Sequence, residues 1–119
     1  MKFIYLSLAA ITSMTLSTGV LAHAALEKSM PKSGEVVSKA PTKVVLHFNE
    51  VLEAPFSKIT LIHLPAETIK TAKATVDSAH PKTLRLATPP LSAGSYQVQW
   101  STMTQDGHRA KGQYRFQVK

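Results

Sequence analysis

"GSYQVQWSTMTQDGHRAKGQYRFQV", residues 94–118, is the stretch whose reading decides the fold. In its first part Tyr96, Val98 and Trp100 alternate with Gln97, Gln99 and Ser101. From Gly112 to Val118 the alternation returns with Tyr114, Phe116 and Val118. Successive side chains of a strand point to opposite faces, so a period of two marks a half-buried antiparallel strand. Between the two lies a polar segment, "TQDGHRAKG", residues 104–112, which reads as a loop.

Working outward, the same signal recurs. "TKVVLHF", residues 42–48, sets Val44, Leu46 and Phe48 against Lys43, Val45 and His47. "SKITLIH" at 57–63 is similar, and "TLRLA" at 83–87 places Leu84 and Leu86 on one side of Arg85. Weaker strands are expected over 68–76 and 25–30. Turn signals separate them: "PKSG" at 31–34, "KAPT" at 39–42, "EAP" at 53–55, "AHPK" at 79–82 and "TPPLSAG" at 88–94. No segment sustains a 3.6-residue period. About seven short strands with frequent turns predict an all-β protein, a small Greek-key β-sandwich. Tyr96, Trp100, Tyr114 and Phe116 are expected to pack in its core. Sandwiches serve many purposes, so the fold by itself names no function.

The chain has 119 residues, enough for one domain. Its beginning reads as an export signal. Lys2 is a short positive region, "FIYLSLAAI" at 3–11 is apolar, and small and polar residues follow to Ala22. The apolar run falls short of the ~20 residues that span a bilayer. The expected division is a signal peptide, residues 1–22, and an exported domain, residues 23–119. Cleavage after Ala22 would make His23 the first residue. Cleavage after Ala24 would discard it, and both sites satisfy the small-residue rule.

The net charge is +7, and it is spread along the chain without a run of like charges. Nothing interleaves aromatics with Arg in a nucleic-acid-reading motif, so no nucleic-acid partner is expected. There are no cysteines, so the chain can form no disulfide and no thiolate-ligated centre. A metal site would need His, carboxylate, Met or a free amino terminus.

Asp106 and His108 stand two apart around Gly107, so a carboxylate and an imidazole can aim at one point from a loop tip. The pair also fits a plain polar turn in which Asp106 bonds backbone amides. A terminal His23 changes the balance. Its amine and ring Nδ1 can close a six-membered chelate, and a metal can displace the amine proton near neutrality because the ordinary pKa is ~8. With the His108 ring and Asp106 the donors would be three nitrogens and an oxygen. Such a tetragonal set suits Cu(II), the strongest binder in the Irving–Williams order. His47, His63 and His80 read as surface residues rather than ligands.

The sequence resembles the CopC family of periplasmic copper-resistance proteins. The resemblance rests on residues 22–53, with the exposed His23, the S-x-P-x-x-G turn and the F-N-E strand end. It rests equally on residues 96–118, with D-G-H followed by G-x-x-x-F. It implies a small immunoglobulin-like or cupredoxin-like sandwich and a Cu(II) site formed by His23, Asp106 and His108. It also implies a position near that site for Glu50. The implied role is periplasmic sequestration or carriage of Cu(II) by a monomer, without catalysis, and delivery to an inner-membrane transporter of the CopD type. Many members hold Cu(I) on a methionine-rich loop, whereas beyond residue 22 this chain has Met30 and Met103 alone. No dedicated Cu(I) site is therefore expected. Two other readings stand beside this one: a histidine-brace copper oxidase or monooxygenase, and a metal-free interaction module.

Overall fold

The computed structural model describes residues 24–119. The expected export signal, residues 1–22, and His23 lie outside the described residues. The described chain forms nine strands: β1 (Leu26–Met30), β2 (Val36–Val37), β3 (Lys43–Phe48), β4 (Lys58–His63), β5 (Glu67–Thr68), β6 (Thr75–Val76), β7 (Thr83–Ala87), β8 (Gly94–Met103) and β9 (Arg109–Val118). A short 3-10 turn, Ala54–Phe56, precedes β4. The strands make two sheets, ordered β1-β3-β7-β6 and β2-β9-β8-β4-β5. Between β1 and β2, β2 and β3, β3 and β4, β5 and β6, and β7 and β8 the chain crosses from one sheet to the other, as a Greek-key sandwich requires.

The alternation in the sequence becomes the core. Val44, Leu46 and Phe48 of β3, with Leu84 and Leu86 of β7, meet Ile59, Leu61, Tyr96, Val98, Tyr114, Phe116 and Val118 from the facing sheet, all buried. Each such side chain contributes roughly 1.5–3 kcal/mol relative to full exposure. Trp100 lies half-buried at the margin, edge-on to Phe48 and tilted against Tyr114. Its indole rests on Gly112, directly across the ladder, where a Cβ would collide with ring atom Cζ2. Glycine is required there by close approach.

Four details depart from the expectation. The strand foreseen over 68–76 is two separate pairs. β5 joins β4 in one sheet and β6 joins β7 in the other, with Ile69 and Ala74 packed on the core between them. A chain crossing between sheets cannot be one strand. β2 was not foreseen, because two residues carry no period. It pairs in parallel with Gln117 and Val118. β9 begins at Arg109 rather than Gly112, because Arg109–Lys111 continue both the ladder opposite Met103–Ser101 and the alternation, with Ala110 packed against the core between exposed Arg109 and Lys111. Val45, placed by alternation on the outer face, is 4% exposed. Met30 and Arg85 flank it in register, and long side chains can cover an outward strand position.

Candidate metal centre

The β8–β9 hairpin is the longest ladder in the molecule, ten residues a side from Gly94↔Val118 to Met103↔Arg109. Its connection is the five-residue loop Thr104–His108. Thr104 N–H donates to the His108 carbonyl at 2.9 Å and closes the hairpin. Gly107 N–H donates to the Thr104 carbonyl at 2.9 Å and makes the turn. Gly107 adopts φ +84°, a left-handed conformation that a residue with a Cβ resists.

The base of this loop is held from the side. Leu52 forms an isolated antiparallel bridge with Thr104, and Glu53 N–H donates to the Met103 carbonyl at 2.8 Å. Leu52 and Thr104 are both buried. The loop therefore stands on a fixed platform, as positioning of ligating groups demands.

Above this platform Asp106 and His108 are about half exposed and bonded to one another, Oδ2 to Nδ1, at 2.8 Å. The other carboxylate oxygen, Oδ1, accepts from the buried Thr104 hydroxyl. The Thr104 hydroxyl and then the His108 ring hold the Asp106 carboxyl down at about 2. At neutral pH it is ionised and can only accept hydrogen bonds. His108 Nδ1 is thereby the donor, and a neutral ring so oriented carries its lone pair on Nε2. A carboxylate that fixes the tautomer and orientation of an imidazole is the usual support of a metal-binding histidine.

Of the sequence-derived candidates, the fold brings Asp106 and His108 together. Glu50 lies in the bend after β3, half-buried. Among the described residues no three His, Asp or Glu side chains gather closely enough to hold an ion. A nitrogen and an oxygen donor are of the kinds that bind copper.

Of the remaining histidines, His47 and His63 are tied into the fold, whereas His80 lies on the surface as expected. His47 is half-buried and its Nδ1 lies 2.8 Å from Thr83 Oγ1 on the paired strand. His63 stacks on Tyr96 with ring centroids 4.6 Å apart. His80 is exposed beside Asp77, at 3.4 Å, and Asp77 also pairs with Arg85 at 3.0 Å. Met30 is exposed on β1, whereas Met103 ends β8.

Sequence reading passed over two polar residues. Thr104 stands two residues before Asp106, a spacing at which a threonine hydroxyl can bond locally, and that signal was available. Asn49, next to Phe48, joins the start of β1 to the end of β3. Its Oδ1 accepts from Ala25 N–H at 2.7 Å and its own N–H donates to the Ala25 carbonyl at 3.1 Å. No local pattern marks that contact, because its partner is 24 residues away.

Comparison with known proteins agrees with this architecture. The profile of the CopC domain matches residues 26–119. The protein YobA of Escherichia coli K12 is 34% identical over 114 residues, which cover 95% of this chain and 92% of that protein. Copper resistance protein C of Pseudomonas syringae pv. tomato is 36% identical over 113 residues, 89% of this chain and 88% of that one. The crystal structure of CopC from Methylosinus trichosporium OB3b superposes with a TM-score of 0.77 at 29% identity, over 82% of this chain and 94% of that one. The chain belongs to the CopC domain family. That family is one of copper-resistance and copper-transport proteins rather than enzymes.

Proposed function

We propose that this protein carries Cu(II) in the periplasm, on a site made of the free amino-terminal His23 and the Asp106-Gly107-His108 loop. Family membership supports copper as the cargo. The observation that carries the site is the Asp106–His108 pair, held at 2.8 Å at the tip of the longest hairpin. His108 offers Nε2. Asp106 keeps its carboxylate charged, and each of its hydrogen-bonded oxygens retains a further lone pair for an ion. Removal of residues 1–22 would free the His23 amine, which joins its own ring as a chelate. Three nitrogens and an oxygen favour Cu(II).

In this reading Asp106 orients His108 in the metal-free loop; an ion on Nε2 lies across the ring from Oδ2, so Asp106 ligates that ion only once its bond to Nδ1 is released. Glu50, at the end of β3, is a further candidate to face the site. The role is sequestration and delivery, with a membrane copper transporter of the CopD type as recipient. Copper would be held and passed on without chemical change.

The test is a titration of the chain beginning at His23. Tight one-to-one Cu(II) binding, weakened at least a hundredfold by His108→Ala, is the expected result; loss of a second-sphere partner alone typically gives about 10–100-fold. A chain that takes up no stoichiometric Cu(II), or a variant that binds as well as the parent, would overturn the reading. Intact mass of the exported protein tells cleavage after Ala22 from cleavage after Ala24.

A further inference from the structure

On one side β9 is paired with β8 along its whole length, and on the other it is held only near its end. There Gly34 N–H donates to the Arg115 carbonyl at 2.7 Å, Gln117 N–H to the Glu35 carbonyl at 2.9 Å and Lys119 N–H to the Val37 carbonyl at 3.0 Å. The odd-numbered residues thus turn their backbone groups away from β8. Successive residues of an antiparallel ladder alternate in this way, and the β8–β9 register runs without a shift. The same parity leaves Arg109, Lys111 and Gln113 with N–H and C=O pointing out of the sheet. Among the described residues no backbone group takes them.

The side chains of these three residues are exposed. They stand on the outer face of the sheet, opposite in direction to Tyr114 and Phe116 in the core. Lys111, Ser101 and Lys58 form one row across β9, β8 and β4. Lys58 and Lys111 rim a groove of about 630 Å³, lined further by Thr60, Gln99 and Gln113 and by no carboxylate. Among the described residues neither lysine nor Arg109 has an acidic partner. Cations on an edge strand can serve merely to repel. Lys58 stands two strands in from the edge, where repulsion has no such use, yet it extends the same sign across the face.

We propose that residues 109–113 of β9 form a docking edge for an extended acidic segment of a partner protein, which adds to the sheet as a further strand. Three residues, each with one N–H and one C=O, offer six backbone bonds over a span of about 14 Å. Every second side chain of the added strand lies about 5 Å from Arg109, Lys111 or Gln113. A glutamate or aspartate there neutralises a cation that lacks a partner. The field of Lys58 and Lys111 draws such a segment toward the edge. Arg109 follows His108 directly, so the partner lies beside the Thr104–His108 loop. The docking holds whichever groups bind metal in that loop.

The experiment uses the metal-free protein and two capped seven-residue peptides, one alternating glutamate with threonine and the other lysine with threonine. NMR titration reads affinity, and amide hydrogen exchange reads the backbone bonds. The glutamate peptide should bind with a Kd at or below about 1 mM. The lysine peptide should bind about tenfold more weakly. On binding, the amides of Arg109, Lys111 and Gln113 should become protected, whereas β8 already protects those of Ala110 and Gly112. Arg109→Glu combined with Lys111→Glu should reverse the preference between the two peptides.

Absence of binding by the glutamate peptide at several millimolar overturns the docking edge. Binding that leaves the three amides exchanging freely overturns it too, since no strand has then been added. A preference for glutamate that survives the double reversal overturns the acidic partner. Protection of the same amides that rises with the concentration of the protein alone makes a second copy the occupant, and overturns the acidic partner as well. Should the double reversal fail to fold, Lys111→Gln decides: a loss of about threefold for the glutamate peptide supports the proposal, and unchanged affinity overturns it.

Discussion

The Thr104 hydroxyl donates to Asp106 from a buried position beneath the loop, so the carboxylate is held by the scaffold as well as by its imidazole neighbour. Two consequences for acid behaviour follow. The Asp106 carboxyl sits at about 2, below its ordinary 3.8, chiefly through this bond and next through His108. A depressed carboxyl favours the folded loop above the ordinary pKa, and that contribution fades as pH falls from about 4 to about 2. Thr104→Val should move the Asp106 midpoint up toward 3.8, read from the carboxyl carbon in an NMR titration. An unmoved midpoint would assign the depression to His108 alone.

Gly107 sits at φ +84° with open space where a Cβ would go. The difficulty of a substitution there is conformational rather than steric. Gly107→Ala should destabilise the protein by about 1–2 kcal/mol. It should also disturb the loop's proton resonances while those of the core stay put. A melting temperature equal to the parent's would mean the turn can be rebuilt without the left-handed residue.

Gly112 presents the opposite case, since Trp100 lies on it. Its alanine variant should force the indole off the sheet and cost about 1–3 kcal/mol. Tryptophan emission should shift to longer wavelength as the ring enters water. Trp100 is the single tryptophan, so the signal has one source.

Tyr114 is buried, and burial pushes its phenol up to about 12, with the Ser29 hydroxyl opposing. An acid whose folded pKa is raised ionises first in the unfolded chain. Stability should therefore hold below pH 10 and decline between 10 and 12. Tyr114→Phe should flatten that alkaline decline in denaturant melts. A decline as steep as the parent's would place its origin in another group.

The sandwich was legible because its central strands alternate. β3, β7, β8 and the second half of β9 each carry apolar residues every second position, and those residues form the core. Where the physics was not periodic, the sequence was silent. β2 and β5 are two-residue pairs fixed by neighbours. The site divides likewise. Asp106 and His108 were visible because Gly107 separates them in one loop. Asn49 and Leu52 act on residues far along the chain, and their partners emerge only when the sheets are assembled. His47 and His63 looked like surface residues for the same reason: Thr83 and Tyr96, which engage them, belong to other strands.

β2 covers only Gln117 and Val118, at the far end of β9 from the loop. Among the described residues the other end of β9 is thus an open sheet margin, from Arg109 toward Tyr114. Such a margin invites pairing with a second molecule. Arg109 and Lys111 stand on it, and two copies meeting there would set cation against cation. Like charges on that margin disfavour edge-to-edge pairing of two molecules beside the Thr104–His108 loop, which gives Arg109 and Lys111 a use apart from the core.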